Sequence, residues 1–422
     1  MNVPAIAPIA IIGGGPCGLT LARLLETASI NYVIFERDSS PSSAVKSQGG
    51  TLDIHPATGQ EALRRAGLYN QFKSLARYDA TTMTLMDSRG EFRSILGDDI
   101  DVDGSDRPEI DRQQLRQILL DSIPAERIRW GKITDAVERN ENSSGKSAHE
   151  YTLRFRDGST ETGFRMIVGA DGAWSKVRSL ITDAKPEYSG KSFVEGRISP
   201  GNPAYQLAEQ MAGKGTAIAM SAKSTLAVQQ MSDSSYRMYM GLLGPESLTL
   251  PGGDADPADM ERGRNTMLGP GGFFANWTED LRTLIGAAET PWRPWPLYRL
   301  DKTLFSSGTN SQHRWTRAPG VVLLGDAAHL STPNGEGVNQ AMYDSLVLFD
   351  QIVKEVGAVQ EGPYNQEANA EALEKAIIAY EKEMKPRAYE HIQSSIDMET
   401  LMYNDDGAQQ MIAAFAEEHG PK

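Results

Sequence analysis

With 422 residues the chain exceeds what one ordinary hydrophobic core serves, so two domains and an appendage are expected, and a 40% hydrophobic composition suffices to build them. A formal charge of −14 disfavours nucleic acid and anionic membrane surfaces as partners, because both need a basic face. Cys17 is the only cysteine, which excludes an intrachain disulfide and fits a reducing, cytoplasmic setting.

The apolar start carries no Lys or Arg ahead of it and is interrupted by glycines, so it reads as a buried strand and not as a signal peptide. No other apolar run is long enough to span a membrane as a helix. Pro8 to Ile12 is apolar without alternation, the pattern of a strand buried on both faces of a parallel sheet. Gly13, Gly15 and Gly18 follow in G-x-G-x-x-G spacing. The first glycine permits a tight turn, the second a close approach of pyrophosphate, and the third close packing of helix on strand. Pro16 suits a first helical turn, and Leu19, Ala22 and Leu25 continue a helical stripe. Tyr32 to Phe35 is a second buried strand, closed by Glu36, an acid at the distance where ribose hydroxyls are bound. A bare glycine turn is the simpler reading, but strand, helix and acid in this order supply the context that dinucleotide binding requires. The acid favours a free ribose, as in FAD or NAD, over a 2′-phosphate.

Residues 39–48 turn to Ser, Pro and Lys and lead into Gly49-Gly50-Thr51-Leu52-Asp53-Ile54-His55, a loop entering a short strand. Residues 58–77 regain helical spacing, and Thr81 to Met86 with Asp87-Ser-Arg-Gly90 reads as a hairpin leaving the nucleotide domain. Asp111 and Gln114 form a capping pair for a helix carrying Leu115, Ile118 and Leu119. Arg112 at that helix start is unfavourable beside the positive end of the dipole; it either meets a bound anion or is a solvated surface arginine.

Met166 to Val168 is a further apolar strand, ending in Gly169-Ala-Asp171-Gly172, for which a plain turn is the simpler reading. From Lys185 to Leu243 short β-like runs alternate with turns, so an antiparallel sheet without a long helix is expected as the second domain. Residues 241–272, rich in Gly and Pro, read as a mobile excursion, and Phe274 to Ile285 as a helix. Val321 to Leu324 is a buried strand followed by Gly325-Asp326 and a helix opened by Gly335, Gly337 and Asn339, whose N-terminus suits a polar ligand group. Beyond Glu367 the chain reads as bracing helices with a break at Pro386. The six histidines show no metal-ligand spacing, so no metal site is expected; His55 is a candidate for the substrate or cofactor region.

Together Gly13-Gly15-Gly18, Asp171-Gly172 and Gly325-Asp326 resemble the single-component flavin-dependent aromatic hydroxylases of the para-hydroxybenzoate hydroxylase type. The stretches FERD (Phe35 to Asp38), GGTLDIH (Gly49 to His55), GQEALRRAGL (Gly59 to Leu68), EIDRQQLRQILL (Glu109 to Leu120), SKVR (Ser175 to Arg178) and GDAAHL (Gly325 to Leu330) are most similar to the tetracycline-inactivating monooxygenases.

The resemblance implies an α/β fold: a Rossmann-like FAD-binding domain at 1–75, 100–180 and 290–366, a second domain on an antiparallel sheet at 76–99 and 181–289, and C-terminal bracing helices at 367–422. It implies a monooxygenase of secondary metabolism, in which transiently bound NADPH or NADH reduces FAD and O2 forms a C4a-hydroperoxide. That species hydroxylates or epoxidises an aromatic or polycyclic small molecule, and a monomer is expected. FAD contacts carried over are Gly13, Gly15, Gly18, Glu36, Arg37, Lys46, Gly50, Arg112, Asp171, Gly325, Asp326, Pro333, Gly337, Val338 and Asn339. Tyr205-Gln206-Leu207 gives Gln206 as the substrate contact, and no catalytic side chain is assigned. Alternatives are inactivation of a tetracycline-type antibiotic and, further off, a non-catalytic relative of the prenyl-GTPase escort proteins. A flavin halogenase would carry W-x-W-x-I-P, which is absent.

Overall fold

The structure, a computed structural model, describes residues 6–41, 49–96, 107–140, 150–306, 313–357 and 365–419. In chain order, β1 (Ile9–Ile12), α1 (Pro16–Thr27) and β2 (Tyr32–Phe35) are followed by β3 (Thr51–Asp53), α2 (Gly59–Arg65) and α3 (Tyr69–Leu75). A hairpin of β4 (Met83–Asp87) and β5 (Arg93–Leu96) precedes β6 (Glu109–Asp111), α4 (Arg112–Asp121), β7 (Ile128–Arg129), β8 (Thr134–Arg139), β9 (Tyr151–Phe155), β10 (Thr160–Glu161) and β11 (Met166–Gly169). Next come β12 (Glu187–Ile198), α5 (Tyr205–Ala212), β13 (Thr216–Met220), β14 (Ser224–Gln230), β15 (Tyr236–Leu243), α6 (Met260–Leu268), α7 (Glu279–Ala287) and β16 (Glu289–Arg299). The chain closes with β17 (Val321–Leu323), α8 (Asp326–His329), α9 (Gly337–Gly357), α10 (Gln366–Met402) and α11 (Gly407–His419).

Strands β17, β11, β1, β2 and β7 form a parallel sheet in that order. Its central strands are buried throughout, as their unbroken apolar runs require, with α1 and α9 packed together beside them. Because parallel strands all end on one side, the turns after β1, β2, β11 and β17 share one edge, the place where open α/β sheets bind ligands.

The second sheet runs β16-β12-β15-β14-β13-β4-β5, antiparallel except where β13 pairs with β4. Alternation divides its faces: Val194, Val228, Met238 and Met240 bury into a second core beneath α5 to α7. Glu195, Gln229, Arg237 and Tyr239 lie on the other face, toward β3 and the first domain.

The sheet expected from Lys185 to Leu243 carries one short helix, the eight-residue α5, and no long one. Two sequence expectations need correction. Residues 241–272 carry α6, capped by Asp259 through the Arg262 amide, and are anchored by Leu248, Ala255 and Met267 in the second core. The helix α10 runs unbroken through Pro386 because Tyr380, Met384, Ala388 and Ile392 anchor it in the first core on both sides of the proline.

Candidate FAD site

Why the chain turns at β1 is visible in the room around its glycines. Gly13 has φ +108°, and a Cβ there would lie 2.3 Å from the Ala170 carbonyl, so the turn after β1 presses against the turn after β11. A Cβ on Gly18 would meet the Gly13 carbonyl at 2.1 Å, which keeps α1 close to β1. Gly15, in contrast, faces open space. Glu36 is buried at the end of β2; one carboxylate oxygen accepts the Gly14 amide and the other the Asp38 amide at 2.9 Å. Each oxygen keeps a second lone pair for a ligand hydroxyl.

Two buried arginines that sequence reading did not single out brace this edge. Arg116, from α4, donates to the Gly14 carbonyl at 3.2 Å and to Asp38 at 3.3 Å. Arg178 donates to the carbonyls of Ala173, Asp326 and Ala327 at 2.9, 2.9 and 2.8 Å, tying the turn after β11 to the turn after β17. Burial pushes its guanidinium down to about 10, with Asp171 and Asp326 opposing. Asp171 itself accepts from Ser175 Oγ at 2.5 Å and from the Lys176 amide at 2.7 Å, so its carboxylate builds the turn.

At the end of β17 the Asp326 backbone is held by Arg178 and the Gly325 amide by Asp344. The Asp326 carboxylate makes no hydrogen bond to a described residue. The side chain is open to solvent, while the protein crowded around it raises its pKa by desolvation, opposed by the charges of His329, Arg112 and Arg178. Such a group lies on the floor of a cleft. Arg112, at the start of α4, hangs its backbone on the Gly50 carbonyl at 3.2 Å and also has no acceptor for its guanidinium among the described residues. It lies close enough to influence both Asp326 and Tyr239. A cation at a helix N-terminus, with an unpaired acid nearby, suits an anionic ligand with hydroxyl groups.

The loop before α9 completes the edge. Asn339 is fully buried and its amide is engaged by protein: it accepts the His55 amide at 2.8 Å and donates to the Asp53 carbonyl at 2.9 Å. Gly337 faces open space at the α9 N-terminus, beside Val338, while Pro333 is exposed on the loop. Gly50, at φ +85°, would drive a Cβ to 2.4 Å from the Tyr239 hydroxyl, so only glycine lets β3 pass under the second sheet.

The structure thus brings Gly13, Gly15, Glu36, Arg112, Asp326 and Gly337 to one edge, with Gly18, Gly50, Asp171, Gly325 and Asn339 shaping it from behind. Arg37 is exposed beside Glu36, and Lys46 lies outside the described residues. Gln206 is not brought to the cleft: it is exposed on α5, which packs on the opposite face of the second sheet. Sequence reading missed that face because the helix-and-strand order does not say which side of a sheet a short helix covers.

These residues fit FAD. An open turn at Gly15 admits a pyrophosphate, Glu36 keeps lone pairs for the ribose, Arg112 is an unpaired cation, and the α9 N-terminus faces open space. Above the cleft, Phe193 and Tyr239 lie 5.9 Å apart, and Tyr403 and Thr225 close on Gly241 between them. No helix of the described residues is long and apolar enough to cross a membrane, and no cluster of potential metal ligands occurs among them.

Comparison with known proteins agrees with this geometry. Residues 7–238 match the family model described as an FAD binding domain. The chain is 32% identical to the monooxygenase penA of Penicillium thymicola, covering 96% of this chain and 97% of that one. It is 33% identical to the monooxygenase asqM of Emericella nidulans, covering 90% and 92%. Its fold resembles the crystal structure of the tetracycline destructase Tet(51), with a TM-score of 0.65 at 15% identity over 98% of this chain and 96% of that one. The chain belongs to the FAD-binding-domain family, and within it to the FAD-dependent monooxygenases.

Proposed function

We propose that this monooxygenase uses NAD(P)H and O2 to hydroxylate or epoxidise an aromatic or polycyclic small molecule in secondary metabolism, acting as a cytoplasmic monomer. The observation that carries the reading is the pairing of an FAD-type edge on the first sheet with an aromatic wall on the second, where Phe193, Tyr239 and Tyr403 converge. Flat aromatic rings suit such a wall, since offset and edge-to-face contacts add to area burial. We assign the cofactor to 1–75, 100–180 and 290–366 and the substrate to 76–99 and 181–289.

Bound FAD supplies the electron transfer and the activation of O2. The chain's part is to hold and shield it. The turn at Gly13, Gly15 and Gly18 receives the pyrophosphate, Glu36 the adenosine ribose, and Arg112 and Asp326 the phosphate and ribityl portion. The free amides at Gly337 and Val338, with the α9 dipole behind them, favour negative charge on the reduced ring. The seam between the sheets keeps water from the reacting carbon: Thr51 donates to Gln229 at 3.2 Å, and Ser232 and Arg77 meet Asp111 and Glu109. The chain carries no second G-x-G-x-x-G, so the nicotinamide docks transiently.

A panel of polycyclic phenols, quinolones, indole alkaloids and a tetracycline tests the reading. Substrate-dependent NADPH or NADH oxidation, with a product heavier by one oxygen atom, supports it, and turnover of the tetracycline alone would favour antibiotic inactivation. Flavin reduction without any oxygenated product across the panel would contradict it.

A further inference from the structure

His55 follows β3 and is 8% exposed. Its Nε2 lies 2.8 Å from an Asp53 carboxylate oxygen and its Nδ1 lies 3.1 Å from a Glu336 carboxylate oxygen. A neutral imidazole has one N–H and can serve only one acceptor, so two carboxylates at hydrogen-bonding distance require both nitrogens to donate. The ring is an imidazolium. Burial works against that charge, but the hydrogen bonds to Asp53 and Glu336 and their charges prevail and raise its pKa to about 9. The other charged or titratable groups facing the trio are Arg107 and the neutral His391, toward Glu336, and Glu109, toward Asp53.

Asp53 and Glu336 belong to segments far apart in sequence. One is the strand that passes under the second sheet; the other is the loop whose end opens α9. Asn339 joins the same two segments through His55 and Asp53, but reaches the loop itself only through a long 3.4 Å contact to the Gly335 carbonyl. Gly335, at φ +84°, and Gly337, with open space around it, contribute no side chain that could fix the loop. Its one anchored side chain toward β3 is Glu336.

We propose that Asp53, His55 and Glu336 form a charge clamp that holds the Pro333–Gly337 loop, and with it the α9 N-terminus, in the position that receives the flavin ring. His55 is a positioning residue acting through Glu336. The inference rests on the reading of this cleft as the FAD site. A sign follows for pH. The clamped ring holds its proton more tightly than a free imidazole at about 6.5, so the clamp's support is complete below that pH, declines as pH rises, and is gone above about 9.

The test uses the full-length protein, stripped of flavin and titrated with FAD by fluorescence quenching between pH 6.5 and 9.5, with melting of the flavin-free protein as a fold control. Wild-type affinity should hold up to about pH 8 and fall about fourfold by pH 9.5, where a ring with a pKa of about 9 has lost its proton in three molecules of four. His55→Gln, which offers donors from only one nitrogen, should bind weakly at pH 6.5 and change less than about twofold with pH. Glu336→Gln keeps an acceptor for a neutral ring and removes one carboxylate, so it should retain affinity at pH 6.5 and move the midpoint to lower pH. Equal affinity of wild type and His55→Gln at pH 6.5, or an unmoved midpoint in Glu336→Gln, overturns the clamp. Should His55→Gln melt early, the midpoint in Glu336→Gln decides alone. Wild type that binds no FAD at any pH removes the cleft assignment, a failure distinct from FAD binding that ignores pH and both substitutions.

Discussion

Replacing Asp326 by alanine separates cofactor binding from folding with unusual clarity, because the backbone at this position is held without the side chain. Arg178 grips the Asp326 carbonyl at 2.9 Å and Asp344 grips the Gly325 amide at 2.8 Å, and neither contact involves the carboxylate. The carboxylate has no hydrogen-bond partner of its own among the described residues, so a capping role in α8 finds no support. Its expected partners are hydroxyl groups of the flavin's ribityl chain. Removing one such acceptor leaves donors unpaired at a cost of about 1–3 kcal/mol. At about 1.4 kcal/mol per tenfold, FAD affinity should fall by roughly five- to 150-fold. Asp326→Asn, which keeps one accepting oxygen, should lose less. The assay is titration of FAD into flavin-free wild type and variants, with melting curves recorded for each. Equal dissociation constants in wild type and Asp326→Ala would refute the reasoning, even if the variant melted earlier.

Three further outcomes follow from the same geometry. Glu36→Ala strands the Gly14 and Asp38 amides and removes the ribose acceptor, so purified protein should retain little flavin; normal flavin content would return Glu36 to a purely structural role. Arg178→Met leaves three carbonyls without their donor and should cost about 2–4 kcal/mol in urea unfolding, whereas a change under about 0.5 kcal/mol would show that water replaces the guanidinium. His391 is held neutral, its pKa lowered to about 3 by burial and by the neighbouring His329 charge. The unfolded chain therefore takes up a proton below about pH 6.5 that the folded chain refuses, and stability falls on acidification by up to about 1.4 kcal/mol per pH unit until pH nears 3. His391→Gln should flatten that slope; an unchanged slope would assign it to other groups.

What the sequence made legible was local. The run from Pro8 to Glu36 carries strand, turn, helix and acid within thirty residues, and each part lies where its pattern indicates. The Asp111–Gln114 pair appears as a side chain accepting the helix-start amide at 3.3 Å. Contacts between distant segments were not legible, because nothing local marks them. Arg116 reaches Gly14 across 102 positions, and Asn339 reaches His55 across 284. Pro386 marks a helix break by local rules, and tertiary burial of the residues around it overrides them. For Gln206 the limit was orientation: the resemblance of Tyr205-Gln206-Leu207 implied a substrate contact, but the face of the sheet that α5 covers is decided by the second core. His55 closes the GGTLDIH stretch and was a candidate for the substrate or flavin region, but its pairing with Glu336 appears only when the two segments fold together.

The central claim is that this chain holds FAD in the cleft between its two sheets, and it is tested most directly by denaturing the purified, yellow protein and identifying what it releases. One equivalent of FAD per chain is expected, with Arg112→Ala reducing that amount while leaving the melting temperature of the flavin-free protein unchanged. Release of FMN, or a colourless protein that takes up no FAD on titration, would contradict the account.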